Sequence, residues 1–157
     1  LDKCISSQTS VLGPPRYRRK VVLTVPCAIK NQKNWGAING RRLDFSRNKD
    51  RIIAETWYIQ ELVKRFHAAQ YKNIDLAGVY WVEEDLWACK EIIKDVSNIV
   101  HEKGLKFYWI PYYSATGSTR WDYYGFDYAY IQPNYAISTS RPIYRLKNAV
   151  SEARTLG

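Results

Sequence analysis

The chain has 157 residues, of which 46% are hydrophobic and 25% charged; this is the composition of a packed globular domain and excludes disorder as the main state. Lys and Arg number 24 against 15 Asp and Glu, a formal charge of +9. That balance admits a polyanionic partner, but apart from Arg16, Arg18, Arg19 and Lys20 and the pair Arg41 and Arg42 the positive charge is spread out, as on an ordinary solvated surface.

The elements read as follows. Residues 1–20 are expected to be irregular, because Gly13, Pro14 and Pro15 break any regular element and a basic run follows. Residues 21–25 are a short β-branched run closed by Pro26, the pattern of a buried strand. A long polar loop over residues 27–49 contains Asn31, Gln32, Asn34 and Trp35. Loops of that length in compact domains are often functional. Asp50 is placed to cap a helix over about 51–70, whose stripe is Ile52, Ile59, Leu62, Val63 and Phe66.

A second strand covers 74–82 and is almost continuously apolar from Leu76, as in sheets covered on both faces. Asp85 reads as the next cap, Ile92, Ile93, Val96, Ile99 and Val100 as the second helical stripe, and Gly104 as its end. Residues 105–112 and 126–131 read as the third and fourth strands, and Ser140 and Pro142 open a third helix. This alternation predicts an α/β fold with a parallel (β/α) barrel-type architecture over residues 21–157. A complete (β/α)8 barrel needs about 250 residues, so four strands are expected to be part of a TIM barrel, incomplete at the C-terminus. The absence of methionine fits a processed chain or a fragment.

Several chemistries lack support. No apolar run is long enough for a membrane span, and no secretion signal is visible at the N-terminus. Nucleotide-binding glycine motifs are absent. Cys4, Cys27 and Cys89 are too far apart for a metal clip, and His is scarce, so no metal and no cofactor is expected. One bridge, such as Cys4 with Cys27, is conceivable from the cysteine count. His67 and His101 each fall late in a helix, and Ser114 has no neighbouring His.

Ligands of parallel α/β folds meet the C-terminal ends of the strands. Those ends carry Glu83, Glu84 and Asp85, then Tyr112, Tyr113 and Ser114, then Gln132, Asn134 and Tyr135. Aromatic rings stack on sugar faces, and amides and carboxylates pair with sugar hydroxyls. Along a strand Tyr80, Val82 and Glu84 share one side, and Trp81 and Glu83 the other, so only one glutamate points inward. Glu84 is favoured, in phase with Gly78 and Tyr80, and Glu83 is the alternative catalytic carboxylate. Trp35, Tyr112, Tyr113, Gln132, Asn134 and Tyr135 are the expected substrate-binding residues. Glycoside hydrolysis ordinarily needs two carboxylates. No second one is evident at the strand ends, and the partner acid is expected beyond residue 157 if it exists.

The segment 20–26, the run Gly78-Val79-Tyr80-Trp81-Val82-Glu83-Glu84, the FYWIPYY stretch at 107–113 and Gln132-Pro133-Asn134-Tyr135 together resemble an uncharacterised bacterial family, a domain of unknown function found in carbohydrate-degrading gut bacteria. The resemblance covers about residues 20–157. It implies a glycosidase-type (β/α)8 barrel in secreted or cell-surface proteins, an oligo- or polysaccharide partner, and a substrate-binding site lined by Trp81 together with Glu84, Tyr112, Gln132, Asn134 and Tyr135. Three functional readings follow: a glycoside hydrolase-like enzyme using Glu84, a non-catalytic carbohydrate-binding barrel, and a basic nucleic-acid-binding domain. The last is the weakest, because a solvated lead-in to the first strand explains residues 16–20.

Overall fold

The structure is a computed structural model that describes residues 1–33, 35–136 and 141–156. Its centre is a four-stranded parallel sheet built from β1 (Arg19–Val25), β4 (Ile74–Trp81), β5 (Lys106–Trp109) and β6 (Tyr128–Ala129). The strands lie side by side in chain order. Helices α2 (Asn48–Ala68) and α3 (Ile93–Glu102) connect them, and a small antiparallel hairpin, β2 (Ala37–Ile38) and β3 (Arg41–Arg42), sits in the loop between β1 and α2. Helices α1 (Asp2–Leu12) and α4 (Tyr144–Leu156) flank the unit. The chain is therefore a mixed α/β protein with a parallel sheet.

Two rows of side chains cross the sheet and show its two faces. Val25, Trp81, Trp109 and Ala129 are in register, and so are Thr24, Tyr80, Tyr108 and Tyr128. The first row faces α2 and α3. Val25, Trp81 and Trp109 are fully buried there with Ile59, Ile92, Ile93, Val96, Val100 and Phe107. The second row faces away from those helices. Its Tyr128 is 45% exposed, and the Tyr108 and Tyr128 rings stack at 5.0 Å. Tyrosine suits this position because its ring packs while its hydroxyl remains in contact with water.

A bulge sets which residues join which row. The β1–β4 register shifts between Val21, opposite Leu76, and Val22, opposite Gly78, leaving Ala77 as the extra residue. Leu76 and Val79 thus both reach the helix-facing core although they are three apart. Gly78 falls where β5 crowds β4. A Cβ there would strike the Lys106 carbonyl and come within 2.6 Å of Tyr108 Cε2. Glycine at 78 is therefore a steric requirement of the aromatic row.

The structure corrects four local expectations. Residues 2–12 are helical, not irregular: the Asn73 backbone N–H donates to Asp2 Oδ1 at 2.6 Å and its amide donates to Ser6 Oγ at 2.8 Å, tying α1 to the start of β4. The N-cap of α2 is Arg47, not Asp50. Asp50 lies inside the first turn, buried, and accepts from Arg41 at 2.5 Å, Arg47 at 2.9 Å and the Asp44 N–H at 2.9 Å. The fourth strand shrinks to two residues, followed by an isolated parallel bridge between Tyr112 and Gln132. Helix α4 begins at Tyr144; Ser140 lies outside the described residues. None of the helices described is long and apolar enough to cross a membrane.

Candidate functional site

The chain leaves the C-terminal ends of β4, β5 and β6 in three short segments that meet. Gln132 is held by the backbone: its N–H donates to Pro111 O at 2.8 Å, and its own carbonyl accepts from the Tyr113 N–H at 2.7 Å. Its side-chain amide then donates to Ile110 O at 3.0 Å and to Glu84 Oε1 at 2.9 Å. The last bond joins the segment after β4 to the segment after β6 across β5. Glu84 is exposed, and its charge reaches Tyr80 and Tyr112. Burial, with the Glu84 charge added, pushes the Tyr80 phenol up.

Asp85 organises the same region. It accepts from Tyr112 Oη at 2.6 Å, from the Thr116 N–H at 2.9 Å and from the Trp87 N–H at 2.7 Å. Burial opposes ionisation of Asp85, but these three donors outweigh it and hold the carboxyl below its ordinary value. The sequence marks Asp85 as a helix cap, but α3 begins at Ile93 with Ile92 as its N-cap, and the Asp85 bond to the Trp87 N–H closes a local turn instead. The other two bonds span roughly thirty residues and carry no sequence signal. With three donors engaged, Asp85 positions Tyr112.

Glu83 faces the other way. It shares the phase of Trp81, its backbone carbonyl accepts from Trp109 Nε1 at 2.8 Å, and its charge reaches Cys27 and Cys89. Glu83 and Glu84 therefore do not line one cleft. Trp81, expected to bind substrate, is fully buried on the helix side of the sheet. The same alternation that turns Glu84 toward the mouth turns Trp81 away from it.

The remaining expected residues divide into two groups. Tyr113 is half-buried beside α4: Asn148 Nδ2 donates to its hydroxyl at 3.1 Å, and the Arg145 guanidinium lies 4.9 Å from its ring centre. Asn134 and Tyr135 are half-buried, and Asn134 has φ 54°, a left-handed backbone that Asn tolerates better than most residues. These belong to the stretch that contains Gln132. Trp35 does not join them. It packs on Phe45 at 5.2 Å and on Trp57 of α2 at 6.2 Å, as part of a separate apolar cluster under the hairpin. Asn31 and Gln32 line a shallow polar cleft with Arg42 and Asp44, and Asn34 lies outside the described residues.

Residues 1–157 match a family described as a domain of unknown function, DUF4855. The chain belongs to that family. No curated protein and no solved structure matches it.

Two further features of this DUF4855 chain bear on function. Trp87 is 74% exposed in the loop after β4, with Lys90 Nζ 5.4 Å from its ring centre. Its exposure depends on how the loop folds, which a single aromatic in a sequence does not reveal. A Ser-His-Asp order also appears. Ser97 Oγ is 3.4 Å from His101 Nδ1, and His101 Nε2 is 2.8 Å from Asp127 Oδ2. It is structural: Ser97 is buried, and its hydroxyl donates to Gly125 O at 2.8 Å. The group also lies at the N-terminal end of the strands, where Asp127 ties Lys106 and the Phe107 N–H at 2.6 and 2.8 Å. Among the described residues, no three His, Cys, Asp or Glu side chains are grouped to hold a metal ion.

Proposed function

We propose that this DUF4855 chain is a glycoside hydrolase-like domain that meets carbohydrate at the C-terminal mouth of its sheet, with Glu84 as the acid–base carboxylate. The observation that carries this reading is the Glu84–Gln132 hydrogen bond, which brings a carboxylate and an amide together from different strand ends beside Tyr80 and Tyr112. Both amide hydrogens of Gln132 are engaged, by Glu84 and by Ile110 O, which leaves its carbonyl oxygen as the acceptor for a sugar hydroxyl. Tyr112 is held in place by Asp85, and exposed Trp87 offers an apolar ring face of the kind sugars stack on.

The barrel-type architecture belongs to the same proposal. Sequential parallel strands, with two connecting helices on one face and a tyrosine row on the other, are the winding that a (β/α)8 barrel continues around its axis. A secreted or cell-surface setting accompanies this reading.

In the proposed reaction Glu84 delivers a proton to the glycosidic oxygen or takes one from the attacking water. One observation favours a second reading, a non-catalytic carbohydrate-binding domain. Neither neighbouring carboxylate serves as the partner acid, because Asp85 is engaged by three donors and Glu83 faces the cysteines.

Reducing-sugar release from β-glucan, xylan, pectin and mucin, with binding to each followed separately, tests both. The enzyme reading expects Glu84→Gln to lose at least about 100-fold in turnover while binding persists. Unchanged turnover in that variant overturns it. Binding without hydrolysis by the wild-type chain, weakened by Tyr112→Ala, establishes the second reading.

A further inference from the structure

Beneath the mouth, on the helix side of the sheet, lie two cysteines that the proposed function does not use. Cys27 follows β1 by two residues, and Cys89 lies in the turn after β4, the strand paired with β1. Both are buried in the main apolar cluster with Trp81 and Leu86, and the buried Arg51 guanidinium holds their two segments together by donating to Ala28 O and to Ala88 O, each at 2.7 Å. Cys89 Sγ is also 3.8 Å from Asp85 O. Cys4, by contrast, sits exposed on α1, whose ties to Asn73 place it at the N-terminal end of the strands. A bridge between Cys4 and Cys27, conceivable from the cysteine count, therefore joins opposite ends of the sheet and does not fit this fold.

We propose that Cys27 and Cys89 form a dithiol site that a small hydroperoxide converts into an internal disulfide, linking the segment after β1 to the turn after β4.

The surroundings assign the two sulfurs different roles. Cys27 is 9% exposed and Cys89 is fully buried, so a small oxidant reaches Cys27 first. The neighbouring Cys89 thiol lowers the Cys27 thiol most, burial raises it, and the buried Arg51 guanidinium lowers it further, against the opposing charge of Glu83. Cys89 is pushed up by the neighbouring Cys27 thiol, by burial and by the Cys27 charge, with the Trp81 indole acting in the other direction. That indole N–H is buried and has no hydrogen-bond partner among the described residues. Glu55, buried on α2, also faces Cys27; burial holds its carboxyl up at about 8, so it is largely uncharged at neutral pH and adds little repulsion to a thiolate.

Cys27 is thus the nucleophile and Cys89 the resolving thiol. The Cys27 thiolate attacks the terminal oxygen of the hydroperoxide. The O–O bond breaks, the alkoxide or hydroxide leaves and takes up a proton, and Cys27 becomes a sulfenic acid. Cys27 then carries no negative charge, which removes one of the causes that hold the Cys89 proton. Cys89 loses its proton and attacks the Cys27 sulfur. The S–O bond breaks, and the departing hydroxide with that proton forms water. In sum, two thiols and one hydroperoxide give one disulfide, one alcohol or water, and one water. The bridge closes on the turn that carries Asp85, one residue from Glu84. This inference stands whether or not the mouth binds carbohydrate.

Hydrogen peroxide in slight excess over the full chain, followed by digestion without reductant and mass spectrometry, tests it. The expected result is a peptide containing Cys27 joined to one containing Cys89 in monomeric protein, with the thiols that react after denaturation falling from three to one. Cys4→Ser is expected to leave that linkage intact. Cys89→Ser is expected to stop at a Cys27 sulfenic acid, trapped by dimedone. If Cys89→Ser does not fold, the peptide map of Cys4→Ser decides alone. A linkage through Cys4, oxidation of Cys27 to sulfinic acid without a linkage, or three thiols still reactive would overturn the proposal.

Discussion

At the N-terminal end of the sheet, carboxylates meet cations: Asp127 binds Lys106 and His101, and Asp75 pairs with Arg18 at 3.1 Å. At the C-terminal ends of β4 and β5 the partners of Glu84 and Asp85 are neutral, whereas beyond β1 Lys30 pairs with Glu91 at 3.4 Å and Asp50 with Arg41 and Arg47. Glu84 is met by an amide, Asp85 by a phenol and two backbone N–H groups, and Glu55, behind the mouth on α2, by the Ala28 N–H at 2.6 Å. The Arg51 beside Glu55 spends its hydrogen bonds on Ala28 O, Ala88 O and Asn48 Oδ1. A carboxylate held by a cation is fixed in its charged form and committed to the fold. One held by neutral donors retains the capacity to exchange a proton or to turn to a ligand. Asp127 and Asp75 thus differ from Glu84, Asp85 and Glu55 in what holds them, and the group held by neutral donors lies at the end of the sheet where parallel α/β folds place their ligands.

Three experiments sharpen or break this contrast. The largest effect is expected at Glu55. Its carboxyl is raised in the folded chain, from an ordinary value of 4.5 to about 8, chiefly by burial. The unfolded chain releases that proton first, so the stability the protonated form contributes is present below about pH 4.5 and is lost as pH rises toward 8. Glu55→Gln, which stays neutral, is expected to be more stable than wild type by roughly 2–4 kcal/mol above pH 8 and to lose that advantage near pH 4. Urea unfolding across this range checks it, and a pH-independent difference breaks the assignment of a neutral partner to Glu55.

Asp127 comes next, with the opposite sign. Burial raises its carboxyl, but Lys106, the Phe107 N–H and His101 outweigh that and hold it below the ordinary value. Its contribution is therefore present above the unfolded value, near pH 4, and disappears as pH falls through the depressed folded value. Asp127→Asn is expected to cost about 1–2 kcal/mol at pH 7, with the difference closing in acid. Equal loss at pH 7 and pH 2 would count against ion pairing as the cause. The smallest effect is expected at Glu84. Because it is exposed and meets only an amide, Glu84→Gln is expected to leave the thermal midpoint unchanged. A large drop would make Glu84 a structural residue and remove the contrast between the ends.

Much of the order of elements was legible in the chain. Val21, Leu23 and Val25 alternate, and the stripe from Ile92 to Val100 recurs at helical spacing; local periodicity of this kind survives packing. Helix α1 escaped because its residues bury nothing: it has no apolar face against the core and is tied by Asp2 and Ser6 to Asn73. The fourth strand is shorter than the apolar run 126–131 because only Tyr128 and Ala129 enter the ladder, with Tyr130 adding a single bond to Trp109 O at 2.9 Å before the isolated bridge at Gln132. For the site, the placement of Glu84 opposite Glu83 follows from strand alternation. The separation of Trp81 from Tyr112 follows from the same rule, since Trp81 shares the phase of Glu83.

By itself, then, the sequence determined an α/β chain with parallel strands and an acidic, aromatic and amide-rich set of strand ends, because periodicity and composition are local properties. Tertiary structure alone decided the rest. The bulge at Ala77 set the phase of β4, the bridge at Gln132 brought an amide to Glu84, and burial set Cys27 against Cys89. Each of these depends on contacts between segments far apart in the chain, and such contacts leave no period for a linear reading to detect.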